Sequence, residues 1–403
     1  MPDFYQTGII TTLHYLGTGD VTKLERELVE DSEVDPIALV IPSLASEMEG
    51  PALAGIVQEL AKVPYLNQVV IALDRATEQE FLRAREFFKS LPQPLRLVWI
   101  DGPRIQALYR KLDAQNISAG PPGKGRGVWT GIGYVLADQT CRTIAIHDAD
   151  IVTYNRGMLA RLCYPVVNPA LSYEYAKGFY ARVTDRMHGR VTRLFFTPLI
   201  RTLLKFVGYH PYLVYLDSFR YPLAGEFVLD VELARAVRIP SDWGLEIGFL
   251  GEVYRNVAVR RICEVDIAQS YEHKHQPLDA TDQTQGLMKM AIDIAKSLFR
   301  TLAQEGATIC SEGFFRSLRA AYLRAAEDQI ARYAHDAAIN GLHFDRHSEA
   351  LATEAFAKAI QLAAVEVLED PLGTPLISNW ARVDSAIPTF LDELLEAVES
   401  DNA

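Results

Sequence analysis

The sequence predicts an α/β fold: a mainly parallel sheet with helices on both faces, followed by a helical C-terminal region. Three observations lead there. From Ile37 to Ile146, short β-branched runs alternate with longer amphipathic stretches, the signature of strand–helix units. Polar residues able to do chemistry follow directly after several of the apolar runs, where open parallel sheets bind ligands. Beyond about residue 284 the chain turns Ala- and Leu-rich with helical spacing.

The elements follow in order. Ile37–Ile41 (IALVI) reads as a buried strand ended by Pro42, and Gly50–Lys62 carries Leu53, Ile56, Val57 and Leu60 at helical spacing. Gln68–Leu73 is a second strand, and Thr77–Ser90 a second helix with Thr77 as its N-cap. Leu95–Ile100 is a third strand; Val128–Leu136 is helical, and Thr143–Ile146 is a fourth strand. From 171 to 283 the pattern is mixed and rich in Gly, Pro and Tyr. Met288–Leu302, Phe314–Ala334 and Glu349–Leu368 then read as helices. The tail Phe390–Asp401 sets Leu391, Leu394, Leu395 and Val398 against five acids and reads as a solvated amphipathic helix. The implied organisation is an N-terminal extension (1–34), a catalytic domain (35–283) and a helical C-terminal region (284–403).

Composition narrows the class. The 403 residues carry 40 Lys and Arg against 52 Asp and Glu, a formal charge of −12. That excludes nucleic acid as the main partner, since a duplex binder needs a basic face. Cys141, Cys163, Cys263 and Cys310 match no CxxC or zinc-ribbon spacing and read as reduced thiols of a cytoplasmic protein. The N-terminus lacks a leader pattern. The most apolar stretch, Leu194–Leu216, is interrupted by Pro198, Arg201, Lys205 and Pro211, so no membrane span is expected.

The sharpest local feature is His147-Asp148-Ala149-Asp150, immediately after the strand TIAI. Two carboxylates at i and i+2 of an extended segment point the same way, and hard oxygen ligands suit Mg²⁺ or Mn²⁺. The loop Gly120–Gly127 (GPPGKGRG) is no Walker A motif, yet its glycines allow close backbone approach and Lys124 and Arg126 bring charge. Between Lys177 and Lys205 seven cations face one acid, Asp185. This local reversal of sign suits a small anionic ligand. Within it, Gly189-Arg190-Val191-Thr192 opens an apolar run and reads as a helix N-terminus able to hold phosphate. Glu246, on a helix with Ile247, Phe249 and Leu250, needs a polar partner, and Glu226 is a weaker candidate of the same kind.

Seven motifs in order resemble the retaining glucosyl-3-phosphoglycerate synthases, glycosyltransferases of the Rossmann-like GT-A fold. They are Pro42–Glu47 (PSLASE), Pro121–Trp129 (PPGKGRGVW), Asp148–Asp150 (DAD), Gly189–Thr192 (GRVT), Pro222–Glu226 (PLAGE), Trp243–Gly248 (WGLEIG) and His273–Asp279 (HKHQPLD). The resemblance spans roughly residues 35–285 and implies roles. Asp150 and His273 would bind a divalent metal, Mg²⁺ or Mn²⁺, with Asp148 at the metal shell or the nucleotide ribose. Lys124 would neutralise donor phosphate. Pro42, Leu44, Glu47 and Asp74 would line the nucleoside pocket, and Glu246 would meet the transferred sugar. Gly189, Arg190, Thr192 and His275 would face the acceptor.

The donor implied is a nucleoside-diphosphate-glucose and the acceptor 3-phosphoglycerate, with transfer of glucose or mannose to glycerate or another small acid as the alternative. Assembly as a homodimer is implied too, with the helical C-terminal region as its interface. Two departures stand out: Ala45 where the family pattern has Asn, and His275 where it has Asn. The first bears on the donor base, the second on the acceptor. A sugar-phosphate nucleotidyltransferase and a non-catalytic sugar-nucleotide-binding protein are the rival readings.

Overall fold

The computed structural model describes residues 6, 8–17, 20–241, 243–273, 285–309, 311–373 and 376–403. Among them eight strands form one sheet: β1 (Thr11–Leu13), β2 (Ile37–Leu44), β3 (Leu66–Asp74), β4 (Leu95–Trp99), β5 (Thr143–Ile146), β6 (Tyr175–Tyr180), β7 (Phe227–Asp230) and β8 (Ile262–Ala268). Their order across the sheet is β1-β8-β6-β7-β5-β2-β3-β4. Only β7 runs against its neighbours, β5 and β6. The predicted mainly parallel sheet is therefore observed, with one reversed strand.

Strand periodicity divides the core in two. Ala38 and Val40 of β2, with Val70 and Ala72 of β3, enter one cluster together with Val128, Ile132 and Val135. Ile37, Leu39 and Ile41, with Val69, Ile71 and Leu73, enter the other, together with Leu53, Ile56, Phe81 and Phe88. Alternate side chains thus meet helices on opposite faces. The helix Glu78–Phe88 begins as expected: Thr77 accepts from the Glu80 N–H and Glu80 returns a bond to the Thr77 N–H.

Pro42 does not end its strand. β2 continues to Leu44, with Pro42 opposite Ala72. The Val40 carbonyl accepts from the His147 N–H just past the end of β5, so Pro42, two residues on, faces the edge that β5 has left. A missing N–H costs no ladder bond there.

Residues 1–34, expected to be an extension, supply the edge strand β1, paired to β8, and a helix Val21–Asp31 packed on Arg156–Val167. The helices Pro103–Ala114 and Arg156–Val167 had no sequence expectation; the second holds Pro165 inside it. After Val207 the apolar stretch forms a second helix, Pro211–Ser218. Among the described residues no helix is long and apolar enough to cross a membrane.

The C-terminal helices Gly286–Gln304, Glu312–Ile339 and Arg346–Glu369 pack on one another and on the catalytic part. Trp129 and Trp380 stack at 4.0 Å, and their indole N–H groups donate to Ser378 O and Trp129 O. The expected solvated tail is a correction. Helix Phe390–Asn402 buries Phe390, Leu391, Leu394 and Val398 against the sheet side, each apolar side chain worth about 1.5–3 kcal/mol. The Asn402 amide closes the edge of β4, accepting from Leu97 N–H and donating to Leu97 O.

Candidate active site

Parallel strands bring their carboxyl ends to one edge, and the reversed β7 brings its start to the same edge. Leu44 and Asp74 end β2 and β3 as register partners. Asp148 and Asp150 follow β5, Glu226 precedes β7, and Tyr271 and His273 follow β8.

Lys124 is not a loop residue. It opens the helix Lys124–Asp138, which begins four residues before the expected Val128. Its ammonium lies 2.7 Å from Asp148 Oδ1 and 3.3 Å from Glu246 Oε1. Burial pulls its pKa down, and Asp148 and Glu246 more than reverse this, so it stays protonated. Gly125 serves packing rather than a ligand: a Cβ there would lie 2.0 Å from Pro240 O. Glu246 stands in the first turn of helix Leu245–Asn256.

Asp150 Oδ2 and His273 Nδ1 are 3.6 Å apart, held by a bridge between Ile151 and His273 and by a bond from Val152 N–H to Glu272 O. Burial raises the Asp150 pKa, but His273 and the nearby Lys124 charge outweigh this and leave the group below its usual value. One carboxylate oxygen and one imidazole nitrogen at this separation fit a shared divalent ion with open positions. Among the described residues no group of three or more His, Cys, Asp or Glu gathers to hold a metal, and Asp150 and His273 are the pair they bring together.

At the ends of β2 and β3, Pro42, Leu44 and Glu47 are half-buried and Asp74 is buried. Burial and then Asp101 raise the Asp74 pKa. Its Oδ1 accepts from Arg75 N–H. Arg126 lies over the Tyr109 ring at 4.8 Å.

Glu226, the weaker candidate, is held by two tyrosines. It is fully buried, and its two oxygens accept from Tyr180 OH at 2.8 Å and Tyr271 OH at 2.7 Å. Those rings stack at 3.6 Å. Glu226 lies close enough to Asp148 and Lys124 to feel both charges. Burial, then Asp148, raises its pKa.

Lys177 corrects the basic cluster. It is 1% exposed in the middle of β6, donating to Ala224 O at 2.7 Å. Burial pushes its pKa down to about 8 despite the charges of Glu246 and Glu226. It belongs under the Lys124–Asp148–Glu246 group, which a lysine inside the apolar run YAKGFY could have signalled. Other cations of the cluster have acid partners outside its window: Arg201 pairs with Asp217, and Arg190 and Arg193 with Glu349.

Gly189, Arg190 and Thr192 form a turn at the head of a π-helical segment, Val191–Phe196, continued by helix Thr197–Val207. The expected helix N-terminus is present. Thr192 Oγ1 is buried with no partner among the described residues. A Cβ on Gly189 would lie 3.7 Å from the Tyr221 ring, and Tyr221 packs on Tyr180 at 5.1 Å. The turn thus adjoins the Asp148 group through two tyrosines. His275 lies outside the described residues, as does Cys310; Cys141, Cys163 and Cys263 are buried free thiols.

No family model matches the chain. A glucosyl-3-phosphoglycerate synthase of Persephonella marina is 49% identical over 403 residues, 100% of each chain. One of Methanococcoides burtonii is 39% identical over 404 residues, 99% of this chain and 98% of the relative. A solved structure of glucosyl-3-phosphoglycerate synthase from Mycobacterium tuberculosis, in complex with Mn²⁺, UDP-glucose and phosphoglyceric acid, superposes with a TM-score of 0.53. It is 18% identical, covering 74% of this chain and 88% of that one. Mannosyl-3-phosphoglycerate synthase from Rubrobacter xylanophilus gives 0.52 at 21% identity, over 73% and 82%. At these identities the solved structures show a shared GT-A fold.

Proposed function

The chain belongs to the glucosyl-3-phosphoglycerate synthase family and is a glycosyltransferase; from that premise we propose that it moves glucose from UDP-glucose to 3-phosphoglycerate, with a divalent metal and retention of the α configuration. The observation that carries the reading is the gathering of Lys124, Asp148 and Glu246 in direct ion pairs beside the Asp150–His273 pair. The Mycobacterium tuberculosis relative has been solved with Mg²⁺ and UDP, and with Mn²⁺, UDP-glucose and phosphoglyceric acid, which supports the choice of metal, donor and acceptor. Asp150 Oδ2 and His273 Nδ1 would hold the ion. When bound, it supplies Lewis-acid charge neutralisation for the leaving diphosphate.

The chain's own residues do the rest. An ammonium has three N–H donors; Lys124 commits two to Asp148 and Glu246, leaving the third for a donor phosphate. Fixed by two carboxylates, it stabilises charge on the leaving group without reorganising. Glu246, held by Lys124, offers its remaining lone pairs to sugar hydroxyls. Pro42, Leu44, Glu47 and Asp74 line the base and ribose, with Asp148 beside them. Arg190, Thr192 and the turn at Gly189 receive the acceptor's phosphate, an arrangement suited to charge-assisted bonds. Glu246 and Asp148 both share the Lys124 charge, which weakens either carboxylate as a nucleophile. The acceptor hydroxyl therefore attacks from the face the diphosphate leaves, and its proton passes to a departing phosphate oxygen. Assembly as a homodimer is part of the same reading.

The test offers UDP-, ADP- and GDP-glucose with 3-phosphoglycerate or glycerate, with Mg²⁺, Mn²⁺ or a chelator. Glucosyl-3-phosphoglycerate formed from UDP-glucose, lost with the chelator and with Asp150→Ala, is expected. Full transfer by Asp150→Ala in metal-supplemented buffer would overturn the reading.

A further inference from the structure

Two arginines of the acceptor turn converge on one carboxylate from the far end of the chain. Glu349 is 5% exposed, in the first turn of helix Arg346–Glu369, whose N-cap Asp345 accepts from Ser348 N–H. Its Oε1 accepts from Arg190 Nε at 2.7 Å, and its Oε2 from Arg193 Nη2 at 3.0 Å. Ser348 Oγ accepts from Arg190 Nη2 at 3.0 Å. We propose that Glu349 is a positioning residue for acceptor recognition, fixing which edge of Arg190 meets the anionic group. This rests on the function argued above.

The guanidinium geometry carries the argument. A guanidinium offers two forks of paired N–H groups, one along Nε and one Nη, the other across the two Nη atoms. Glu349 and Ser348 occupy the first fork of Arg190, and its Nη1 has no partner among the described residues. Only the end-on fork remains for a ligand, with the side chain 35% exposed. Arg193 is held more fully: Nε donates to His188 O at 2.8 Å, and the guanidinium lies over the Tyr333 ring at 4.7 Å. Its Nη1 is buried without a partner among the described residues, as is Thr192 Oγ1. One buried carboxylate between two guanidiniums leaves a net positive charge, with three uncommitted polar atoms within four residues. That surplus suits a phosphomonoester or carboxylate. The helical C-terminal region would then act in substrate recognition as well as packing.

The test uses the full-length Glu349→Gln and Ser348→Ala proteins, varying each substrate in turn. Glu349→Gln is expected to raise KM for 3-phosphoglycerate about tenfold while KM for UDP-glucose and kcat stay within about twofold. Ser348→Ala is expected to raise the same KM about threefold. Unchanged acceptor KM in a folded variant, or an equal rise for both substrates, overturns the proposal. If Glu349→Gln does not fold, Ser348→Ala decides alone. Calorimetric binding of 3-phosphoglycerate separates this proposal from the function. Binding without glucose transfer, weakened in the variants, sinks the function and keeps the positioning role. No binding by the unaltered protein sinks both.

Discussion

Gly225 and Asp148 are in contact across the β5–β7 junction: a Cβ built on Gly225 would lie 2.3 Å from Asp148 Oδ2. The absence of a side chain on one residue thus sets the position of the carboxylate on the other, and through it the 2.7 Å pair with Lys124. Gly225→Ala is expected to displace the Asp148 carboxylate, a movable side-chain end, and so to leave the fold intact. Activity should fall about 10-fold or more, as expected when a positioning contact is shifted by an ångström. Steady-state kinetics with a thermal melt checks both halves; unaltered kcat/KM contradicts it.

Lys124→Met removes the charge shared between Asp148 and Glu246. Loss of one preorganised electrostatic group costs about 10²–10³ in kcat, and that is the fall expected in a glucosyl-transfer assay. Lys124→Arg should not restore it, since a planar fork does not replace a compact ammonium between two carboxylates.

Asn402→Ala strips the cover from β4, leaving Leu97 N–H and C=O without the amide that pairs them. A cost of about 1–3 kcal/mol is expected, read as a lower denaturant midpoint with unchanged kcat. The same variant tests whether the C-terminal helix docks on the sheet in solution.

Glu264, on β8, is buried at 1% exposure and accepts from Thr12 OH and Arg220 N–H. Burial pushes its pKa up to about 7 from an ordinary 4.5, against those bonds and the Arg220 charge. Folded, it keeps its proton up to about pH 7; unfolded, it loses it near 4.5. The folded state binds more protons between those values, so its stability falls as pH rises through that window and levels off above. From pH 5 to 7.5 the unaltered protein is expected to lose about 1–3 kcal/mol more than Glu264→Gln. Parallel pH profiles of the two proteins contradict this.

Local patterns in the sequence predicted what local physics determines. Ile37–Ile41 and Gln68–Leu73 read as strands because both faces are buried, and Thr77 as a cap because Glu80 lies three residues on. Lys124, Asp148, Asp150, Glu246 and His273 stood out because each sits in a short motif. Pairings across long stretches of chain were not legible. Arg190 and Glu349 are 159 residues apart, and Tyr180 reaches Glu226 from another strand. Lys177 falls by sequence in the basic cluster read as suiting an anionic ligand, while its place in β6 buries it. The tail's apolar stripe was legible, but the sheet surface it docks on lies far earlier in the chain, Leu97 being 305 residues before Asn402.

The anomeric configuration of the product tests the central claim most directly. ¹H NMR of the protein with UDP-glucose, 3-phosphoglycerate and Mg²⁺ should show an α-linked glucosyl-3-phosphoglycerate from the first turnover. A β-linked product, or free glucose with no glycoside formed, would contradict transfer on the face from which the diphosphate departs.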